Sequence, residues 1–105
     1  MTKPEIECDI CGGNLLDNPD LAMIFWDWEP GAPQVARLVV SHKGQCDPDN
    51  LGLSMELSWM AGRPWYELRR VVDGYPFNRE QILKLIGVAA ACSEFERPRR
   101  LVLKP

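Results

Sequence analysis

Apolar and polar residues alternate with different periods in different stretches of this chain, and the period assigns most of its elements. Residues 21–28, Leu-Ala-Met-Ile-Phe-Trp-Asp-Trp, form a short apolar run, and a second spans Val35 to Ser41 after the turn-rich Glu29-Pro30-Gly31-Ala32-Pro33. The two runs read as strands of one β-hairpin. The two-residue period of extended chain puts Ala36, Leu38, Val40 and His42 on one face of the second strand and Val35, Arg37 and Val39 on the other. His42 therefore ends that strand on its more apolar face. Trp26 and Trp28 share one face of the first strand, and burial against the C-terminal helices is expected for both.

From residue 51 onward the signals are helical. Leu51 to Trp59 alternates as a strand would, yet it has no β-branched residue and is rich in Leu, Met and Glu. Composition favours a helix there, with Leu53, Leu57 and Met60 as its stripe. Pro64 at a first-turn position, Glu67 soon after it, and a stripe of Trp65, Leu68, Val71 and Val72 predict a second helix that closes at Asp73-Gly74. For the third, Asn78 and Gln81 form a capping-box pair, Phe77 can staple onto Ile82, and the start falls at Arg79. Ile82, Leu85, Ile86 and Ala89 should face the core, and Cys92, seven residues beyond Leu85, falls on the same stripe as a small core residue. After Pro98 the tail is open to two readings, an added edge strand or a segment left in solvent.

The 105 residues suit a single domain, divided into a hairpin part over 8–46, a helical part over 51–96 and a basic tail over 97–105. With 46% hydrophobic and 26% charged residues the chain is of ordinary globular composition, which excludes collagen-like, low-complexity and wholly disordered classes. The net charge of −3 argues against a surface that grips nucleic acid or an anionic membrane throughout. Charge is uneven, however: residues 1–50 carry three basic side chains against nine acids, and residues 51–105 nine basic against six acids. The halves either neutralise each other by packing or leave a basic binding face. No apolar stretch approaches signal-peptide or membrane-spanning length, so a cytoplasmic location with no membrane partner is expected. In that reducing compartment four cysteines suggest metal binding or redox chemistry before structural disulfides.

Three of them fall in a pattern. Cys8-Asp9-Ile10-Cys11-Gly12-Gly13 is followed, with thirty residues between Cys11 and His42, by His42-Lys43-Gly44-Gln45-Cys46, giving C-x2-C…H-x3-C. Two thiolates separated by two residues can hold one ion from a tight turn, and Gly12, Gly13 and Gly44 supply the backbone freedom such turns require. Cys8, Cys11, His42 and Cys46 make a closed tetrahedral set that favours Zn2+ and leaves no position for a catalytic water. Two other readings remain: a thioredoxin-like dithiol, which wants its C-x-x-C at a helix start after a strand, and unconnected surface thiols. Iron is compatible with the same ligand types.

On these residues the chain resembles small bacterial zinc domains of zinc-ribbon or treble-clef type, over roughly residues 8 to 46. The resemblance implies a structural zinc and an interaction module for protein or nucleic acid. Finger-style base reading is not expected, because no finger helix lies between the two pairs. Catalysis is not expected either: His42 is the sole histidine and is committed as a ligand, and Asp47 and Asp49 read as loop or cap residues beside Pro48 and Asn50. A nucleic-acid surface, if present, would use Arg79, Gln81 and Lys84 at a helix start together with Arg97, Arg99 and Arg100. Any of Trp26, Trp28, Trp59 and Trp65 left exposed would anchor a protein partner. The expected molecule is an α+β domain, a zinc-clamped β-hairpin with two or three C-terminal helices, serving as a non-enzymatic interaction or regulatory module.

Overall fold

A computed structural model of the chain describes residues 4–48 and 52–103, with side chains described as far as residue 95. The fold is α+β. Three strands, β1 (Ala22–Asp27), β2 (Arg37–His42) and β3 (Leu53–Glu56), form one antiparallel sheet in the order β2-β1-β3. Three helices follow, α1 (Leu57–Gly62), α2 (Pro64–Gly74) and α3 (Arg79–Leu103). Two short 3-10 turns, Leu15–Asp17 and Pro19–Leu21, carry the chain from its N-terminal loop into β1. Among the described residues no helix is long and apolar enough to cross a membrane.

The hairpin forms as the alternation requires. Ala22, Ile24 and Trp26 point into the core from β1, and the register sets them opposite His42, Val40 and Leu38 of β2. That register places His42 on the face of Leu38 and Val40, at the Ala22 end of the sheet. Trp26 is buried and Trp28 half-buried, but their rings meet Tyr75 and Phe77 of the α2–α3 connection, in edge-to-face contacts 5.2–6.0 Å between centroids.

The segment expected as one helix over 51–59 is corrected by the structure. Leu53–Glu56 is a strand that pairs with the second edge of β1, Met55 opposite Ile24 and Leu53 opposite Trp26, and only from Leu57 does the chain turn helical. Tertiary pairing overrides composition here: an unpaired edge of β1 offers backbone partners that an isolated Leu-Met-Glu segment does not have. Leu57 and Met60 nonetheless reach full burial, as the stripe anticipated.

Helix α2 begins at Pro64 and ends at Gly74, as anticipated, but its buried face differs. Pro64, Glu67, Leu68 and Val71 are buried while Trp65 stands 51% exposed. A stripe drawn through apolar residues alone misses Glu67 and recruits Trp65 wrongly. In α3 the capping box is present in full: Gln81 N donates to Asn78 Oδ1 and Asn78 N to Gln81 Oε1, each at 2.9 Å. Leu85, Val88, Ala89 and Cys92 form the buried stripe, Ile82 is half-buried, and Ile86 is exposed, contrary to its expected core position. The helix also continues through Pro98 to Leu103, so the backbone of the expected tail is helical as far as residue 103. Pro98 forfeits one backbone donor within the helix.

Candidate metal centre

The first half of the centre is the loop from Cys8 to Gly13. Cys8 N donates to Gly13 O at 2.8 Å and Gly12 N to Cys8 O at 3.0 Å, a closure that demands the left-handed φ of +80° found at Gly12. The turn aims the N–H groups of Ile10 and Cys11 at Cys8 Sγ, 3.4 and 3.5 Å away. Behind it Asn14 fixes the approach: its Oδ1 accepts from Ile6 N and Leu16 N, and Leu15 N donates to Ile6 O.

The second half grows from the end of β2. His42 leaves the sheet, the chain reverses at Gly44 with φ +77°, and Cys46 N returns to His42 O at 3.2 Å. Gly44 N is held by Asp47 Oδ1 and Lys43 N by Leu21 O. Asp9, between the two cysteines of the first loop, joins the halves. Its N–H donates to Val40 O, its Oδ2 accepts from Val40 N at 2.8 Å, and its carboxylate pairs with Lys84 of α3. Both backbone groups of Val40 thus point away from β1, at the free edge of β2, and the cysteine loop is fastened there.

The result brings all four predicted ligands together. The ligand atoms of Cys8, Cys11, His42 and Cys46 lie within 4.8 Å of one another, close enough to hold one metal ion. His42 enters through Nδ1, 3.2 Å from Cys11 Sγ and 3.8 Å from Cys46 Sγ. A tetrahedron with metal–sulfur bonds of about 2.3 Å has edges of about 3.8 Å, so these separations fit one ion at the centre. Gly13 makes room for the imidazole, since a Cβ there would stand 3.2 Å from His42 Cε1. Cys8 and Cys46 are buried, His42 half-buried and Cys11 exposed, so the cluster is sealed on the core side and open at one corner.

The electrostatics fit a cation. Burial pushes the Cys8 thiol up, but N–H groups of Cys11, Ile10 and His42 and the Cys11 side chain outweigh it and bring Cys8 down to about 6. Cys46 is pushed up to about 11, first by burial and then by the sulfurs of Cys11 and Cys8. With the protein's own groups alone, Cys8 ionises more readily than an ordinary thiol and Cys46 less readily. A divalent ion is the group that lets such crowded sulfurs ionise together. With four side chains directed at one point, the arrangement can bind and hold an ion.

Among the other sequence-derived candidates, the side chains that are described face different ways along α3. Arg79 is exposed at the start of α3, and Lys84, five residues on and about 140° round the helix, is engaged by Asp9. The side chains of Arg97, Arg99 and Arg100 lie outside the described residues, as do Asp49 and Asn50. Cys92 is fully buried and apart from the cluster. Asp9 is the residue that reading the sequence missed. Nothing local marks it, since its role depends on where β2 comes to lie. No protein family, curated protein or solved structure matches this chain.

Proposed function

We propose that the chain is a small non-enzymatic zinc domain whose Cys3His site is structural, and that it serves as a protein-interaction or regulatory module in the cytoplasm. The observation that carries the metal reading is the convergence of three sulfurs and one imidazole nitrogen within 4.8 Å. Three thiolates favour zinc over harder ions, and four protein ligands leave it no open coordination position for catalysis. The zinc would cross-link the N-terminal loop to the end of β2 and stabilise the domain through that link.

For the partner, the supporting observation is the exposure of Trp59, Trp65 and Tyr66, each between 51% and 58% accessible. A nucleic-acid role through Arg79, Lys84, Arg97, Arg99 and Arg100 is the second reading. The commitment of Lys84 to Asp9 weighs against it.

The test is metal analysis of protein purified without added metal, with thermal unfolding before and after a chelator. One zinc per chain, with stability lost on its removal, is the expected result. Metal-free protein of unchanged stability would overturn the structural reading and restore the dithiol alternative. Binding to nucleic acid that falls steeply with salt would instead favour the second reading.

A further inference from the structure

We propose that the cleft between the inner face of the sheet and α2 is a binding site for a small planar aromatic carboxylate. The cleft has a volume of about 650 Å3 and lies at the Trp26 end of β1. The metal ligands gather at the Ala22 end, four residues and about 13 Å away along the strand, so this is a separate site. Ligand pockets run to about 300–1,000 Å3, and this one is within that range.

Its lining is rich in aromatic side chains, and two of them are held by the protein itself. Trp28 is fixed by donation from Nε1 to Ala32 O at 3.0 Å. Tyr75 is locked edge-to-face against Trp26 and Trp28, at 5.2 and 5.6 Å. Trp59 of α1 contributes a third face and is 57% exposed, while the buried Trp26 and Met55 form the base. Trp28 and Tyr75 are held before a ring arrives, so ordering them adds little to the entropic penalty of binding. Aliphatic chains would gain burial but not the ring-to-ring geometry.

The sign of the ligand follows from Arg70. Among the described residues it is the one charged side chain that lines the cleft. The buried carboxylate of Glu67 holds it from behind: Arg70 Nε and Nη2 both donate to Glu67 Oε2, at 3.1 and 2.9 Å. Glu67 itself does not line the cleft. The anchor uses two of the five guanidinium N–H groups, and among the described residues no acceptor takes the other three. A guanidinium so oriented presents the fork that a carboxylate fits. Glu67 is thus a positioning residue, and among the described residues no acid lines the cleft to meet a cationic ligand.

The experiment is a titration of the intact chain, at constant metal content, followed by the indole N–H signals in nitrogen–proton correlation spectra. The probes are naphthoate, its neutral amide and cyclohexanecarboxylate. Naphthoate is expected to shift the Trp28 and Trp59 signals saturably, with the amide about tenfold weaker and the saturated acid weaker still. Arg70→Gln should bring naphthoate down to the level of the amide while leaving the amide unchanged. No saturation by about 10 mM, equal affinity for acid and amide, or undiminished naphthoate binding by the Arg70→Gln chain would each overturn the proposal. The comparison of acid with amide on the unaltered chain holds even if the variant does not fold.

Discussion

Replacing Asp9 by alanine tests how the cysteine loop is fastened to the sheet. The Val40 N–H lies 2.8 Å from Asp9 Oδ2, and Val40 is 1% exposed. Truncation leaves that donor without its acceptor, and a buried donor left unmet costs about 1–3 kcal/mol. The pair with Lys84 adds less: both side chains are about one-third exposed, at 35% and 32%, and solvent holds such pairs to no more than about 1 kcal/mol. Asp9→Ala should therefore lose about 2–3 kcal/mol, a large part of the roughly 5–15 kcal/mol that keeps a domain folded. Asp9→Asn keeps an oxygen for Val40 and gives up only the charge, so its loss, like that of Lys84→Met, should stay within about 1 kcal/mol. Urea unfolding of the three variants at one fixed metal concentration measures these differences, and competition with a chromophoric chelator measures the accompanying loss of metal affinity, expected at about tenfold or more for Asp9→Ala. If Asp9→Ala and Asp9→Asn agree within about 0.5 kcal/mol, the Val40 bond is not what holds the loop, and the reasoning fails.

Three further predictions follow from single positions. Gly44 has φ +77° with open space where a Cβ would sit, so Gly44→Val should lose about 1–2 kcal/mol from backbone strain alone and Gly44→Asn clearly less, read by thermal unfolding. Cys92→Ala should keep the full complement of metal at a stability loss of about 1–2 kcal/mol, whereas Cys46→Ala should lose the metal; elemental analysis of the two separates core cysteine from ligand. Asn78→Ala removes the acceptor of Gln81 N and should cost about 1 kcal/mol in chemical denaturation, with metal content unchanged.

What could be read from the sequence was local. The hairpin, the Asn78–Gln81 capping box, the helix from Pro64 to Gly74 and the four ligands each rest on residues a few positions apart or on a regular period. Two of the failures involve a partner distant in sequence, and a third a buried acid. Leu53–Glu56 is a strand because β1 has a second edge to offer, and nothing within the segment announces it. Glu67 enters the buried face of α2, where it holds Arg70, and a hydrophobic stripe cannot see an acid. In the sequence Asp9 is an ordinary loop acid; its role emerges only when the free edge of β2 and Lys84 are brought beside it.

The position of β2 carries a consequence for the fate of the chain in solution. It is an outer strand of the sheet, and outer strands recruit other chains through unused backbone groups. In the folded molecule Asp9 occupies that edge at Val40, while Pro76 O and Gln81 Nε2 take up the backbone groups of Val35, two residues before the strand. One of these two stoppers is built from the loop between Cys8 and Cys11. If an ion held by Cys8 and Cys11 keeps that loop in place, its removal should bare the strand at Val40, and faster aggregation of the chelated protein, read by light scattering, is the expected outcome.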